Sequence, residues 1–503
     1  MRIRFALLLL VLGLNLTAIA QDLSWDVGLG SQRSLIQARG VAANTAIAPT
    51  LLYVAGLFAD DPDTQRLQQL LTSYSQLEAR DKTVSLIVIA NANPDADNLQ
   101  FPPAGTAYRD NATANALWRW IGVHAPDLII LGADSGTGFA QALSSQAVSG
   151  IGSIPVLSLT EQNSTLEFLV TSSALAPSPA HREVLRRQQR SPAQLAADLA
   201  EIYGQDFSTP VYVPGMSVIG RMRLGQIDSV TQLLADYLNG TDLTVDNPSA
   251  MAGQLVFAEY AERTGNPAAL RLVIAAADLA FDGQGNMREA VPFHSEMSDS
   301  VFMAIPLLVK AGKLSGETRY FDMAVQHLQF MERLLLREDG LYRHSPLADV
   351  AWSRGNAFPL LGLALSLSDF PQTHPGFLQL RTAYLRLLDK LVPFQDRDGL
   401  WHEVIDYPGA FAELSSTAMI GVAIKRGLDH QWISAARFQP SLNRLWHAVL
   451  VRSSMQGEFI DVCTSTGKLS SLDAYLDREA IFGRDDRAGG MVMLLANELA
   501  GNP

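Results

Sequence analysis

The hydrophobic and polar positions of the chain change their pattern near residue 190. Before that point, short β-branched apolar runs alternate with amphipathic stretches such as 63–81 and 116–126. The apolar runs are 50–58, 84–95, 127–134 and 154–160. Runs of this length are typical of buried parallel strands, and their alternation with helices predicts a doubly wound sheet. We therefore assign residues 21–190 to an amino-terminal α/β domain.

From residue 191 onward the strand-like runs nearly vanish, and about eleven amphipathic helices follow in series, each closed by Gly, Pro or a polar turn. A loop phrase, Asp-Gly-Leu-aromatic, occurs at 339–342 and again at 398–401. Because each period contains two helices, the repeating unit is a helical hairpin of roughly 50 to 59 residues. Six such hairpins fit residues 191–503, which predicts an all-α (α/α)6 toroid.

Length and charge narrow the class of protein. A chain of 503 residues exceeds what one ordinary core holds, which also favours two domains. The net charge of −13 argues against nucleic acid or an anionic membrane as a partner. Cys463 is the single cysteine, so an intrachain disulfide is excluded.

Residues 1–20 have the features of a secretory signal peptide. Two early arginines precede an apolar run, and small residues stand at Ala18 and Ala20. We expect cleavage before Gln21 and therefore a periplasmic or secreted bacterial protein. No later segment offers a membrane span free of charges and breakers, so we expect no membrane association after cleavage.

The helical region carries the candidate chemistry. Asp299 stands at the mouth of an apolar helix, and a later segment carries His344, Trp352, Arg354 and Phe358. A carboxyl group moves protons, an arginine holds a carboxylate, and aromatic rings stack on a sugar face. Loops at alternate helix ends of a toroid share one cleft, so we expect these side chains to meet there.

Each of these residues also has a structural interpretation. Asp299 and Glu413 could cap helices, which is a common use of acidic residues. Arg354 could form a salt bridge between hairpins, and the two aromatic side chains could belong to the core. His344 alone could be a loop histidine without a catalytic role.

Four motifs follow one another in the helical region: Asp-Ser-Val-Phe-Met-Ala at 299–304, Leu-Tyr-Arg-His at 341–344, Trp-Ser-Arg-Gly-Asn at 352–356 and Glu-Leu-Ser-Ser-Thr-Ala at 413–418. In this order they resemble glycoside hydrolase family 105, the unsaturated rhamnogalacturonyl hydrolases. The related family 88 contains the unsaturated glucuronyl hydrolases. The resemblance covers about residues 225–500 and implies a six-hairpin glycosidase.

The resemblance implies a reaction that requires no cofactor and no metal. A 4,5-unsaturated uronic acid is removed from an oligosaccharide substrate that a polysaccharide lyase has produced. An Asp protonates C4 of the vinyl-ether double bond and helps water to attack C5, after which the hemiketal collapses. Asp299 matches the catalytic acid, and Asp246 is the candidate for a second catalytic Asp.

The resemblance also implies a set of substrate-binding residues. The candidates are His344, Trp352, Arg354, Phe358 and Glu413. Arg354 would hold the uronate carboxylate, His344 would bond a hydroxyl or the glycosidic oxygen, and the two aromatic side chains would stack. Two positions depart from the family pattern: Met297 and Phe358 each stand where a Trp is expected. These changes affect the expected substrate more than the reaction type.

The amino-terminal region has a weaker resemblance of its own. The motifs at 93–95, 109–111 and 126–128 resemble those of metallocarboxypeptidase-like hydrolases. No histidine follows Gly56, where a zinc ligand is expected, and Gly-Ala-Asp follows the strand-like run at 128–131. We therefore expect a retained α/β scaffold that lacks the zinc ligands.

Two other functions stay open from the residues alone. An inverting glycosidase that acts on a saturated glycan would pair Asp299 with Asp246 or Glu413, at roughly 6.5 to 9.5 Å between the carboxyl groups. A non-catalytic glycan-binding protein would lack an apolar environment around Asp299. The pattern of residues does not indicate an oligomeric state.

Overall fold

The computed structural model describes residues 22–134, 136–241 and 243–502. The signal-peptide prediction for residues 1–20 lies outside these ranges. Up to residue 188 the chain forms one mixed sheet with helices packed on it. The strands are β1 (Asp22–Leu29), β2 (Leu35–Val41), β3 (Thr50–Val54), β4 (Ser85–Ile89), β5 (Leu128–Leu131) and β6 (Val156–Ser158). The helices are α1 (Asp63–Ser75), α2 (Ala112–His124), α3 (Phe139–Ser145), α4 (Leu166–Thr171) and α5 (Pro179–Gln188).

The sheet has the strand order β1-β2-β4-β3-β5-β6. The last four strands in this order run parallel, as their apolar runs predict, and β3 and β5 are buried along nearly their whole length. β1 and β2 form an antiparallel hairpin that extends the sheet beyond β4. The apolar runs do not predict this hairpin, because β2 alternates between buried and exposed positions over most of its length.

The rest of the chain is mainly helical. Its helices are α6 (Pro192–Ala200), α7 (Tyr212–Arg223), α8 (Ile227–Leu238), α9 (Pro248–Gly253), α10 (Leu255–Thr264), α11 (Pro267–Asp278), α12 (Ser300–Ser315), α13 (Arg319–Leu335), α14 (Ser353–Asp369), α15 (Phe377–Leu391), α16 (Leu414–Asp429), α17 (Ala435–Arg452), α18 (Leu472–Leu476) and α19 (Asp486–Ala500). Two short hairpins accompany them: β7 (Trp401–His402) with β8 (Ala412–Glu413), and β9 (Phe459–Cys463) with β10 (Ala480–Gly483). Within the described ranges, no helix has the length and apolar character needed to cross a membrane.

The helices form two concentric rings. In the described part of the chain, α7, α10, α12, α14, α16 and α19 form the inner ring, and α6, α8, α11, α13, α15 and α17 surround it. Inner helices such as α12 and α16 are buried on nearly all sides, whereas outer helices such as α8 bury one face. Asn497 of α19 donates to the Gly220 carbonyl of α7 at 3.2 Å and so joins the last helix of the inner ring to the first. This closure confirms the toroid predicted from the repeat.

Long loops lead into the inner helices, whereas short turns lead out of them. Both Asp-Gly-Leu-aromatic phrases lie in the long loops, where Gly340 and Gly399 have φ values of 91° and 107°. In the first phrase the Arg337 N–H donates to the Leu341 carbonyl at 2.8 Å, and the second phrase repeats this bond at 2.8 Å. The repeated phrase is therefore a turn that requires glycine at its positive φ value. It begins the loops that lead into α14 and α16, and both loops lie on the same face of the toroid.

The sheet part rests on the long-loop face of the toroid. Arg119 of α2 pairs with Asp461 at 3.2 Å, and the ring of Tyr108 stacks on Phe411 at 5.0 Å. At the boundary between the two parts, the buried Arg187 donates to a backbone carbonyl of α17 at 2.8 Å. These contacts place the sheet part beside the loops that carry the candidate site residues.

Candidate active site

Asp299 immediately precedes α12 but does not cap it. Its φ and ψ of −50° and −29° are already helical, and its side chain accepts no capping hydrogen bond. Both carboxylate oxygens are buried without a hydrogen-bond partner among the described residues, and the residue is 1% exposed. The capping interpretation of Asp299 is therefore wrong. A buried polar group without a partner is costly, which is why such a group indicates chemistry or a bound ligand.

The first turn of α12 is held by a buried histidine of α13. The Val291 N–H donates to His327 Nδ1 at 3.2 Å, and His327 Nε2 lies 3.1 Å from the Ser300 hydroxyl. Burial lowers the pKa of His327 to about 3, so the ring is neutral and its proton is on Nε2. These bonds fix the helix start and with it the position of Asp299.

His344 is an ionisable neighbour of Asp299. Its Nε2 lies 3.6 Å from Asp299 Oδ1, and its Nδ1 lies 2.7 Å from the Tyr475 hydroxyl. The Leu469 N–H donates to the same hydroxyl at 3.2 Å, which leaves the Tyr475 proton to donate to Nδ1. By this network neutral His344 carries its proton on Nε2, toward Asp299.

Tyr475→Phe is expected to lower kcat by about tenfold with little change in KM, because the bond that fixes the tautomer of His344 is lost. Tyr384→Phe is the matched control, since the Tyr384 hydroxyl donates to a buried carbonyl at 2.9 Å in α16. Both variants should lose about 1 kcal/mol of stability. Steady-state kinetics and urea denaturation test this, and equal activity of the two variants would count against the role of Tyr475.

Trp352 is wholly buried beneath the site. The guanidinium carbons of Arg354 and Arg478 lie 4.9 and 4.8 Å from its ring centroid, and its Nε1 donates to Glu403 at 2.8 Å. Protein groups therefore hold the ring in place. Its stacking on a sugar stays a prediction.

Arg354 is also wholly buried, and most of its donors are used within the protein. It donates to the Cys463 carbonyl at 2.6 Å and to the Ser465 carbonyl, while Glu413 Oε1 lies 4.0 Å away. Its Nε has no hydrogen-bond partner in the part of the chain that is described. Binding of a uronate carboxylate by Arg354 would have to use this N–H group. That binding stays a prediction.

Glu403 and Cys463 form a buried pair next to Trp352. Glu403 Oε1 lies 3.1 Å from Cys463 Sγ, and burial raises the pKa of the carboxyl to about 8. Burial also raises the pKa of the Cys463 thiol, so the thiol stays protonated and donates to Glu403. Cys463 therefore acts in packing and hydrogen bonding.

Glu413 caps α16, which agrees with the structural interpretation of this residue from the sequence. Its carboxylate accepts from the backbone N–H groups of Ser415 and Ser416 at 3.1 and 2.6 Å. It also accepts from the Ser415 hydroxyl at 2.7 Å and from the Cys463 N–H at 3.0 Å. Four donors thus hold a buried carboxylate, and its contact with substrate stays a prediction.

Phe358 lies in the second turn of α14, within the core of the ring. It is fully buried, with its ring 5.3 Å from that of Phe302 and 5.6 Å from that of Tyr212. The Tyr212 hydroxyl is itself buried without a hydrogen-bond partner among the described residues, and burial raises its pKa to about 12. Tyr212 is thus a neutral O–H donor near Asp299, whereas sugar stacking by Phe358 stays a prediction.

Asp246 lies on the loop ahead of α9 and is exposed. Its Oδ1 accepts from the Asn247 side chain at 2.8 Å. Among the described residues no hydrogen bond or ion pair joins it to Asp299, so the two predicted catalytic carboxyl groups do not share a hydrogen-bond network. A catalytic role for Asp246 stays a prediction.

Sequence reasoning missed two residues of the site, which are Tyr212 and Tyr475. Glu403 lies two residues after the second Asp-Gly-Leu-Trp phrase, and that repeat predicts its position on the loop face with a supporting or structural role. Tyr475 belongs to α18, a five-residue helix between β9 and β10. No repeat or periodic pattern marks that segment.

The sheet part uses its acidic residues to hold loops. Asp95 Oδ2 accepts from the Gln32 N–H at 2.7 Å, and Asp134 accepts from N–H groups at the start of α3. Within the described ranges, no group of three or more His, Cys, Asp or Glu side chains is arranged to hold a metal ion. The resemblance to metallocarboxypeptidases stays a prediction.

The family model of Glycosyl Hydrolase Family 88 matches residues 227–501, more than half of the chain. The unsaturated rhamnogalacturonyl hydrolase YesR of Bacillus subtilis is 26% identical over 202 residues, which are 39% of this chain and 55% of that protein. An unsaturated 3S-rhamnoglycuronyl hydrolase of Formosa agariphila is 23% identical over 169 residues, 30% of this chain and 45% of that protein. The chain thus spans about half the length of the curated relatives it matches.

Solved structures share the architecture of the helical part. The crystal structure of a possible family 105 member from Salmonella enterica serovar Paratyphi A matches with a TM-score of 0.53 at 20% identity. The match covers 62% of this chain and 95% of that chain. At this identity the likeness shows the fold, an (α/α)6 toroid.

Proposed function

Because the chain belongs to Glycosyl Hydrolase Family 88, we propose that it removes a 4,5-unsaturated uronic acid from oligosaccharides produced by a polysaccharide lyase. One observation carries the proposal: the buried Asp299 carboxyl group has no hydrogen-bond partner among the described residues and lies 3.6 Å from His344 Nε2. Such a group can give its proton to a substrate atom. The named activities of the Bacillus and Formosa relatives support the same reaction class.

Asp299 gives a proton to C4 of the substrate double bond, and the positive charge that develops at C5 is shared with the ring oxygen. Water adds to C5 and returns a proton to the Asp299 carboxylate. The C5 hemiketal then opens, and the C1 hemiacetal releases the remaining saccharide as an alcohol. The buried surroundings of Asp299 strengthen its electrostatic interactions with the substrate.

Three neighbours position this chemistry. The His344 Nε2–H donates to the Asp299 carboxylate after proton transfer, or to a substrate oxygen before it. The buried Tyr212 hydroxyl offers a second neutral donor. Arg354 offers its Nε–H to the substrate carboxylate. Unpaired buried donors of this kind discriminate strongly in favour of a substrate that pairs with them.

Substrate entry requires the loops above Asp299 to separate. Lys468, between β9 and β10, donates to the Ser295 carbonyl at 3.0 Å and lies 3.4 Å from the Glu296 carboxylate. Lys468 and Glu296 are partly exposed, and exposed ion pairs contribute roughly 0 to 1 kcal/mol. This contact is therefore weak enough to open and close during turnover.

Loss of the ultraviolet absorbance of the unsaturated uronate tests the proposal. Disaccharides from pectin lyase and from glycosaminoglycan lyase digests are incubated separately with the protein. We expect the absorbance of at least one of the two sets of disaccharides to decay. The set whose absorbance decays identifies the substrate class. If neither decays, while the protein is folded by circular dichroism, the proposed reaction is contradicted.

We further propose that residues 1–20 direct export to the periplasm or the outside of the cell. The mature protein then has two domains, 21–190 and 191–503, and acts on an oligosaccharide without nucleic acid or membrane partners. The acidic net charge and the apolar run at the amino terminus support this proposal.

A further inference from the structure

A cavity of about 250 Å³ lies between the sheet part and the toroid, apart from Asp299. Its walls come from β1, α2, the loop after α15 and the end of α17. The rings of Trp25, Trp120 and Phe411 contribute apolar surface, and Arg119, Asp398 and other charged groups contribute polar surface. The volume of the cavity lies just below the roughly 300 Å³ at which small-molecule sites begin, which limits a ligand to about one sugar ring.

Arg452 is the unusual residue of this cavity. It ends α17, lines the cavity and is 6% exposed. Its charge interacts with those of Asp398 and Asp461, but within the described ranges it makes no hydrogen bond, close ion pair or ring contact, and its Nε is buried without a hydrogen-bond partner. A buried guanidinium is rarely left unpaired, because the cost of removing it from water must be offset by an acceptor.

The carboxylates of the cavity each have a donor of their own. Asp398 is bonded by Trp25 Nε1 at 3.1 Å and by His124 at 3.0 Å. Asp461 is bonded by the Tyr108 hydroxyl at 3.1 Å and by Arg119 at 3.2 Å.

The two remaining acids of the cavity also accept hydrogen bonds from the protein. Asp396 accepts from the backbone N–H groups of Gly399 and Leu400 at 2.7 and 2.8 Å, and Asp26 accepts from Gln37 at 3.1 Å. The acids are therefore hydrogen-bonded within the protein. The charge of Arg452 interacts with those of Asp398 and Asp461, but among the described residues neither acid accepts a hydrogen bond from its guanidinium, whose N–H groups can receive an anion.

We propose that this cavity binds a saccharide that carries a carboxylate, with the carboxylate on Arg452 and the sugar ring against the aromatic wall. A guanidinium suits a carboxylate because its planar N–H groups match the two oxygens. An aromatic wall suits a pyranose ring better than a free inorganic anion. The site is distinct from Asp299 and is formed only where the sheet part meets the toroid. It gives that part of the chain a role in binding acidic glycans.

Calorimetric titration with glucuronate and galacturonate tests the proposal. Glucose, which lacks the carboxylate, and acetate, which lacks the sugar ring, are titrated for comparison. Wild type and Arg452→Gln are compared, and Arg437→Gln is the matched control, because Arg437 lies on the same helix with a half-exposed side chain. We expect at least one uronate to bind wild type and the control, and to bind Arg452→Gln about tenfold or more weakly. Glucose should not bind detectably, and acetate should bind more weakly than the uronate.

Thermal unfolding and hydrogen exchange complete the test. The Tm of ligand-free Arg452→Gln should stay close to that of wild type, because the substitution removes no hydrogen bond, and a cooperative transition shows that the variant is folded. In wild type, uronate should slow hydrogen exchange in β1 and α2, which lie outside the toroid. This second measurement does not depend on the variant folding. Uronate binding that is unchanged in Arg452→Gln, binding of acetate as tight as that of uronate, or no added protection in β1 and α2 would each overturn the proposal.

Discussion

Asp299→Asn is expected to lower kcat/KM on the unsaturated disaccharide by about 10²- to 10⁴-fold, the range that general acid catalysis supplies. Asparagine keeps the shape of the side chain but has no proton to give to C4. Because neither carboxylate oxygen has a hydrogen-bond partner in the described part of the chain, the substitution removes no hydrogen bond seen there. Stability should therefore be unchanged or slightly higher, and activity should fall without loss of the fold.

Asp228→Asn is the matched control, because Asp228 also stands in the first turn of a toroid helix but is exposed. It should keep the activity and the Tm of wild type. Kinetics and thermal unfolding of the three proteins are measured together. Activity of Asp299→Asn within about threefold of wild type would contradict the catalytic role, and a large fall in its Tm would indicate a structural one.

Glu413→Ala is expected to lower the free energy of unfolding by about 3 to 5 kcal/mol, because it leaves buried donors and a buried guanidinium without their acceptor. The affected donors are the backbone N–H groups of Ser415, Ser416 and Cys463, and the Ser415 hydroxyl. The neighbouring cation is Arg354 at 4.0 Å. Urea denaturation measures the loss.

Exposed Glu458→Ala serves as the control for Glu413→Ala and should stay within about 0.5 kcal/mol of wild type. Glu413→Gln should fall between the two, since an amide keeps one acceptor oxygen and turns the other into a donor. A loss of substrate affinity by Glu413→Ala without a loss of stability would support direct contact with sugar instead. Equal stability of the two alanine variants would contradict the structural account.

The sequence allowed the toroid to be predicted because its signals are periodic. Helical amphipathicity and the Asp-Gly-Leu turns at 339–342 and 398–401 repeat along the chain, and the turn requires glycine for a physical reason. The β1–β2 hairpin was missed because β1 alternates polar and apolar residues in the sequence and β2 alternates buried and exposed positions over most of its length. Local patterns of that kind do not distinguish an edge hairpin from a loop.

From the sequence, only the site residues that belong to one of the four motifs could be predicted. Asp299 and His344 lie in two of the four motifs, and the structure brings them to 3.6 Å. Tyr475 is hydrogen-bonded to His344, and Glu403 is hydrogen-bonded to Trp352. Both contacts join residues far apart in the chain, so they depend on tertiary packing that no spacing in the sequence encodes. For the same reason the sequence did not indicate that Arg354 donates hydrogen bonds to backbone carbonyls of the protein.

A matched pair of disaccharides tests the central claim most directly. The two substrates share linkage and sugars, and differ only in the C4–C5 double bond of the uronic acid. Release of the second sugar is followed by chromatography with equal enzyme on both. The account predicts cleavage of the unsaturated disaccharide alone, because the saturated one offers no double bond for Asp299 to protonate. Cleavage of the saturated disaccharide at a similar rate would contradict the account and indicate an ordinary glycosidase.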